Sequence, residues 1–134
     1  MHILIYETHG GSAVDRLSEA IDGTVPREWV EVYQTRESLS IGLRRPLVGR
    51  AIAVLFARDL QDLTGLLSIG DLLCDIPLIL VLGDRDRKTI SAAHALRPRF
   101  LTFADSGFMD VAAVLGKMIE YTAAGFEFWQ QKET

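Results

Sequence analysis

Residues 50–59 read RAIAVLFARD, an apolar run from Ala51 to Ala57 closed by the polar pair Arg58-Asp59. The run shows no period-two alternation, so both of its faces must be covered, as in an inner parallel strand with helices on either side. Ile3 to Tyr6, Leu78 to Leu82 and Phe100 to Phe103 have the same character, and segments of helical periodicity lie between them. In such a sheet ligands and partners meet the carboxyl ends of the strands. Function is therefore expected near Glu7-Thr8, Ala57 to Asp59, Gly83-Asp84 and Phe103 to Asp105.

Working outward, the chain divides into five strand-helix units. His2 to Tyr6 is followed by the turn THGGS and a helix with Ser12 as N-cap and Val14, Leu17, Ala20 and Ile21 as its apolar stripe, ended by Gly23 and Pro26. Glu28 to Tyr33 alternates, with Trp29, Glu31 and Tyr33 on one side and Val30 and Val32 on the other, which marks an edge strand. Thr35 caps a helix over Arg36 to Arg44. A third helix is expected from Leu60 or Asp62 to Leu73, weakened by Gly65 and Gly70, each costing about 1 kcal/mol relative to Ala. Thr89 is the expected cap of a short helix that stops before Pro98. The last helix starts at Phe108 and carries Val111, Ala112, Leu115, Met118 and Ile119 on one stripe. Right-handed crossovers then give a doubly wound, flavodoxin-like α/β sheet of order 2-1-3-4-5.

The 134 residues are expected to form one domain, a core over 1–123 and a C-terminal tail over 124–134. With 14 Lys and Arg against 18 Asp and Glu the net charge is -4, and the basic residues are scattered, which argues against nucleic acid as a partner. The opening MHILIYETHG has no cationic segment and only a short apolar block, and no apolar run is long enough to span a bilayer, so the expectation is a cytoplasmic protein with no membrane partner. Cys74, the single cysteine, is expected to pack in the core, and no Cys or His spacing suits a metal.

Four pieces together resemble the receiver domain of bacterial two-component response regulators over nearly the whole chain: ILIYET, VLFARDLQDLTG, IPLILVLG and SAAHALRPRFLTFADSGFMDVAAVLGKMI. The resemblance implies a magnesium-binding acid pair after the first strand, an aspartate acceptor after the third, a hydroxyl after the fourth and a lysine after the fifth. Those positions fall on Glu7-Thr8, on Ala57 when counted back from Gly65, on Leu82 and on Phe103. Acceptor, hydroxyl and lysine are missing, and a threonine replaces one of the two acids, so phosphoryl transfer has neither a nucleophile nor a clamp for its charge. Asp59, two residues beyond Ala57, would share its strand face only if the strand continued that far; an N-cap is the more ordinary role for it. Phe100 matches the family's switch aromatic.

The reading that follows is a degenerate receiver: not an enzyme, with no cofactor, binding a signalling protein or a second copy of itself. The surface implied by the resemblance is the fourth helix, fifth strand and fifth helix of the family, marked here by Ala95, Phe100 and Ala113. The alternative is a small-ligand or phosphate-binding module using the strand-end loops, where Thr8, Gly10, Gly11 and Ser12 form a candidate anion loop. Glu7 is expected to be a solvated loop acid, and Asp84 to Lys88 a solvated turn with local ion pairs.

Overall fold

In the computed structural model, which describes residues 1–8, 12–23, 25–45, 50–74, 76–106 and 108–120, Ala51–Ala57 is β3, the middle strand of a five-stranded parallel sheet. β1 (His2–Tyr6) lies on one side of it and β4 (Leu78–Leu82) on the other, with β2 (Val30–Tyr33) and β5 (Phe100–Phe103) at the edges. The order is therefore 2-1-3-4-5, the flavodoxin-like arrangement.

The lack of alternation in the inner strands has a direct cause. Ile52, Val54 and Phe56 enter one core with Ile3, Ile5, Ile79 and Val81, while Ala53, Leu55 and Ala57 enter a second with Leu4, Tyr6, Leu80 and Leu82. Each face needs apolar side chains because each is covered by helices. The first core is closed by α1 (Ser12–Ile21), through Leu17 and Ile21, and by α6 (109–120), through Val111 and Leu115. The second is closed by α2 (Arg36–Arg44), α3 (Leu60–Leu67), the one-turn α4 (Gly70–Leu73) and α5 (Arg87–Ala93).

Local chemistry sets the ends. Thr35 accepts from Ser38 N and Ser38 Oγ reaches back to the Thr35 N–H, a capping box at the start of α2. After α1 the chain turns at Gly23, whose φ of 81° lies in the left-handed region that glycine enters without a Cβ penalty.

Four expectations are corrected. The third helix is not continuous to Leu73: Ser68 Oγ donates to the Gly65 carbonyl, Ile69 N turns to Leu66 O, and Ile69 leaves helical backbone (φ -112°, ψ 21°) before Gly70 starts α4. The first two residues of the expected second strand, Glu28 and Trp29, lie in a 3-10 turn, Arg27–Trp29 behind Pro26, which carries Trp29 to the same core as Val30. Asp86, not Thr89, caps α5, because its carboxylate reaches Lys88 N at 3.0 Å; Thr89 is buried inside the helix. Cys74 is exposed, since the single turn of α4 buries Leu73 and leaves the next residue on the outside. The tail, with Phe126, Phe128 and Trp129, lies outside the described residues.

Candidate functional site

The carboxyl ends of β3, β4 and β5 stand in register, Ala57 beside Leu82 and Leu82 beside Phe103. Ala57 is 1% exposed and Leu82 fully buried, so the floor at these strand ends is hydrocarbon. Phe103 is half-buried, and the Arg85 guanidinium lies 4.1 Å from its ring centroid while also pairing with Asp105 at 2.8 Å. This ion pair reaches across sequence to a residue after β5, beyond the local pairs expected of the 84–88 turn, whose side chains are exposed apart from the half-buried Asp84. Asp86 and Arg87 belong to the start of α5.

Gly83 brings two strand ends together. Its N–H donates to the Ala57 carbonyl at 2.7 Å, and a Cβ there would stand 2.5 Å from the Arg58 carbonyl oxygen. Only glycine fits so close to another backbone.

Glu7 is not solvated. It is 8% exposed, and its Oε1 accepts from the Val14 N–H at 3.2 Å, one of the donors in the first turn of α1 that no helical carbonyl can reach. Burial is tolerable because the carboxylate is hydrogen-bonded at the positive end of a helix. Asp59 caps α3: its Oδ1 accepts from Asp62 N at 2.9 Å, and it lies beyond the last β3 residue. Thr8 is half-buried, with its hydroxyl 3.5 Å from Asp62 Oδ2. Gly10, Gly11 and the Ser12 side chain, the rest of the candidate anion loop, lie outside the described residues. Ala95 is exposed in a 3-10 turn after α5, Ala113 is exposed on α6, and Phe100 is half-buried on β5 against the first core.

The strand ends expected to carry function at Thr8 and Arg58 open into a cleft whose other walls the sequence did not point to. A cleft of about 800 Å³ lies over the ends of β1 and β3, lined by Tyr6, Thr8, Thr35, Arg36, Arg58 and Asp62. Asp62 Oδ2 accepts from Arg58 N at 3.2 Å and from Arg58 Nε at 3.0 Å. Burial pushes the Asp62 carboxyl up, but the hydrogen bonds and charge of Arg58 outweigh it and the pKa ends below the ordinary range. Tyr6 is shifted up, first by burial and then by Asp62, with Arg36 and Arg58 opposing. The phenol is thus a hydrogen-bond donor at neutral pH. The one hint in the sequence was Gly65, a helix-interior glycine, for which an added Cβ would stand 2.6 Å from Arg36 Nη1.

Among the described residues no group of three or more His, Cys, Asp and Glu is placed to hold a metal ion, and no helix is long and apolar enough to cross a membrane. No protein-family model matches the chain, and no curated protein matches it either.

Proposed function

We propose that this chain is a receiver-like domain that has given up phosphorylation chemistry and acts by protein–protein contact in a signalling or regulatory system. The observation carrying this reading is the apolar floor at the strand ends. Ala57 and Leu82 are buried hydrocarbon in paired register, and Phe103 continues the row. None of the three side chains can accept a phosphoryl group, hydrogen-bond one or neutralise its charge. Glu7 supports the same reading, because its carboxylate already serves the first turn of α1.

A scaffold without that chemistry offers surface. Among the described residues β5 is an edge strand, a kind of strand whose backbone suits docking, and it is flanked by α5 and α6 from the two faces of the sheet. Ala95 and Ala113 give this side small, exposed side chains that a partner can approach closely. The partner is a signalling protein or a second copy of the chain.

The test is affinity capture from the native host together with sedimentation of the purified chain, using Ala95→Arg, Ala113→Glu and, in the strand-end position, Glu7→Gln. The two surface substitutions are expected to abolish capture or self-association, with stability changed by no more than about 0.5 kcal/mol. Glu7→Gln is expected to leave association intact, since a glutamine oxygen can still accept from Val14 N. Loss of association in Glu7→Gln alone would overturn the reading.

A further inference from the structure

We propose that the cleft over β1 and β3 binds a phosphoryl dianion, either free phosphate or the head of a small phosphomonoester, through Arg36, Arg58 and the Tyr6 hydroxyl. The site goes beyond the interaction reading and does not depend on it: it lies over the ends of β1 and β3, and neither Leu82 nor Phe103 lines it.

The topology opens the cleft. After β1 the chain passes to α1 on one face, whereas after β2 and β3 it passes to α2 and α3 on the other. Neighbouring connections diverge at β1 and β3, the switch point where such sheets bind ligands. A volume of about 800 Å³ falls within the range of small-molecule sites and exceeds what phosphate alone would fill. Gln34 and Gln61 also line it and offer amides to the rest of an organic ligand.

Tyr6 supplies the cleft with a neutral donor. The residue is 3% exposed, yet its hydroxyl makes no hydrogen bond to any described residue. No sealed side-chain polar atom among the described residues lacks a partner, so the Tyr6 hydroxyl reaches solvent, and the cleft it lines is the way out. A buried phenol with an open tip is a donor held ready for an acceptor.

The arginines supply the charge. Arg36 has no ion pair among the described residues, and its guanidinium occupies the notch left by the missing side chain of Gly65. Arg58 is held through Nε by Asp62, which leaves its two Nη groups for a ligand. Asp62 spends its Oδ2 on Arg58 and Thr8 and acts as a positioning residue. Of the groups lining the cleft, two guanidinium groups face one carboxylate, Asp62, in the planar donor geometry that suits phosphoryl oxygens, while Asp59 and Glu7 act on Arg58 from outside the lining.

The test titrates the full chain with inorganic phosphate, ribose 5-phosphate and ribose at constant ionic strength, followed by calorimetry and by the shift in thermal midpoint. Saturable binding of both phosphates, and none of ribose, is expected. Tighter binding of ribose 5-phosphate identifies an organic phosphate as the ligand; equal binding identifies phosphate itself. Arg36→Gln and Arg58→Gln should each weaken binding at least about tenfold, and Tyr6→Phe about threefold to tenfold. Gly65→Ala, which fills the notch under Arg36, should weaken binding while circular dichroism shows an intact fold. Arg16→Gln, on the exposed side of α1, should bind as the wild type does. Absence of saturable phosphate binding, or equal affinity in the wild type and all four cleft variants, would overturn the proposal.

Discussion

At the scale of single residues, two glycines separate close backbone approach from room left for a side chain. Gly83 faces the backbone of Arg58, with the carbonyl oxygen 2.5 Å and Cα 2.8 Å from a built Cβ. Neither can move without shifting the end of β3, so Gly83→Ala is expected to cost about 1–3 kcal/mol in urea unfolding. Gly65 faces the tip of a flexible arginine instead, and its φ is not in the left-handed region. Gly65→Ala should therefore leave stability unchanged or raise it by about 0.4–1 kcal/mol. Titration gives a second residue-scale expectation. Burial pushes Glu31 up, but hydrogen bonds from Arg45, His2 and Tyr33 outweigh it, and Asp62 is lowered in the same manner by Arg58. A carboxyl depressed in the folded state contributes stability that is present above its unfolded pKa of about 4 and lost as pH falls through the folded value. Urea midpoints should thus fall on acidification below about pH 4, and Glu31→Gln with Asp62→Asn should show a shallower fall than the wild type.

At the scale of elements, what was legible followed from period and composition. Four nearly continuous apolar strands and one alternating strand were enough for a parallel sheet with β2 at an edge, because burial on both faces removes alternation and burial on one restores it. Helix ends were less legible, since several residues nearby could serve. Thr89 and Asp86 are both good caps, and Asp86 is used because the Asp84 carboxylate accepts from Asp86 N at 3.2 Å and sets the turn before it. The break after α3 depends on Ser68 bonding back to Gly65, a choice no hydrophobic pattern records. The cleft was least legible of all. Tyr6, Arg36, Arg58 and Gly65 lie on four different elements or their connections, and only the fold brings them together. The capping roles carry their own expectation: Asp86→Ala should cost about 1 kcal/mol, within a range of about 0.5–2, and Thr89→Ala should act by removing a buried side chain rather than a cap. Amide exchange in the first turn of α5 distinguishes the two, rising in Asp86→Ala.

At the scale of the whole molecule, the outcome expected on exposure to a small phosphodonor and magnesium follows from how the sheet ends. A working acceptor needs a carboxylate at the end of the middle strand, free of other duties, with a hard cation held beside it. β3 ends on Ala57, and the next carboxylate, Asp59, is turned out of the strand to hold the Asp62 N–H. Glu7, the acid nearest by sequence to a cation site, is tied to Val14 and is followed by a threonine. The side chains that would receive the developing charge are Leu82, fully buried, and Phe103, whose ring already carries Arg85. Intact-mass measurement after incubation should therefore find the chain unmodified, and Asp59→Ala should lose about 1 kcal/mol of stability with no change in that result. A stable stoichiometric phosphoryl adduct, absent from Asp59→Ala, would mean that Asp59 leaves its cap and serves as a shifted acceptor. In that case α3 would lose its N-cap on modification, and amide exchange at Asp62 would rise together with the mass.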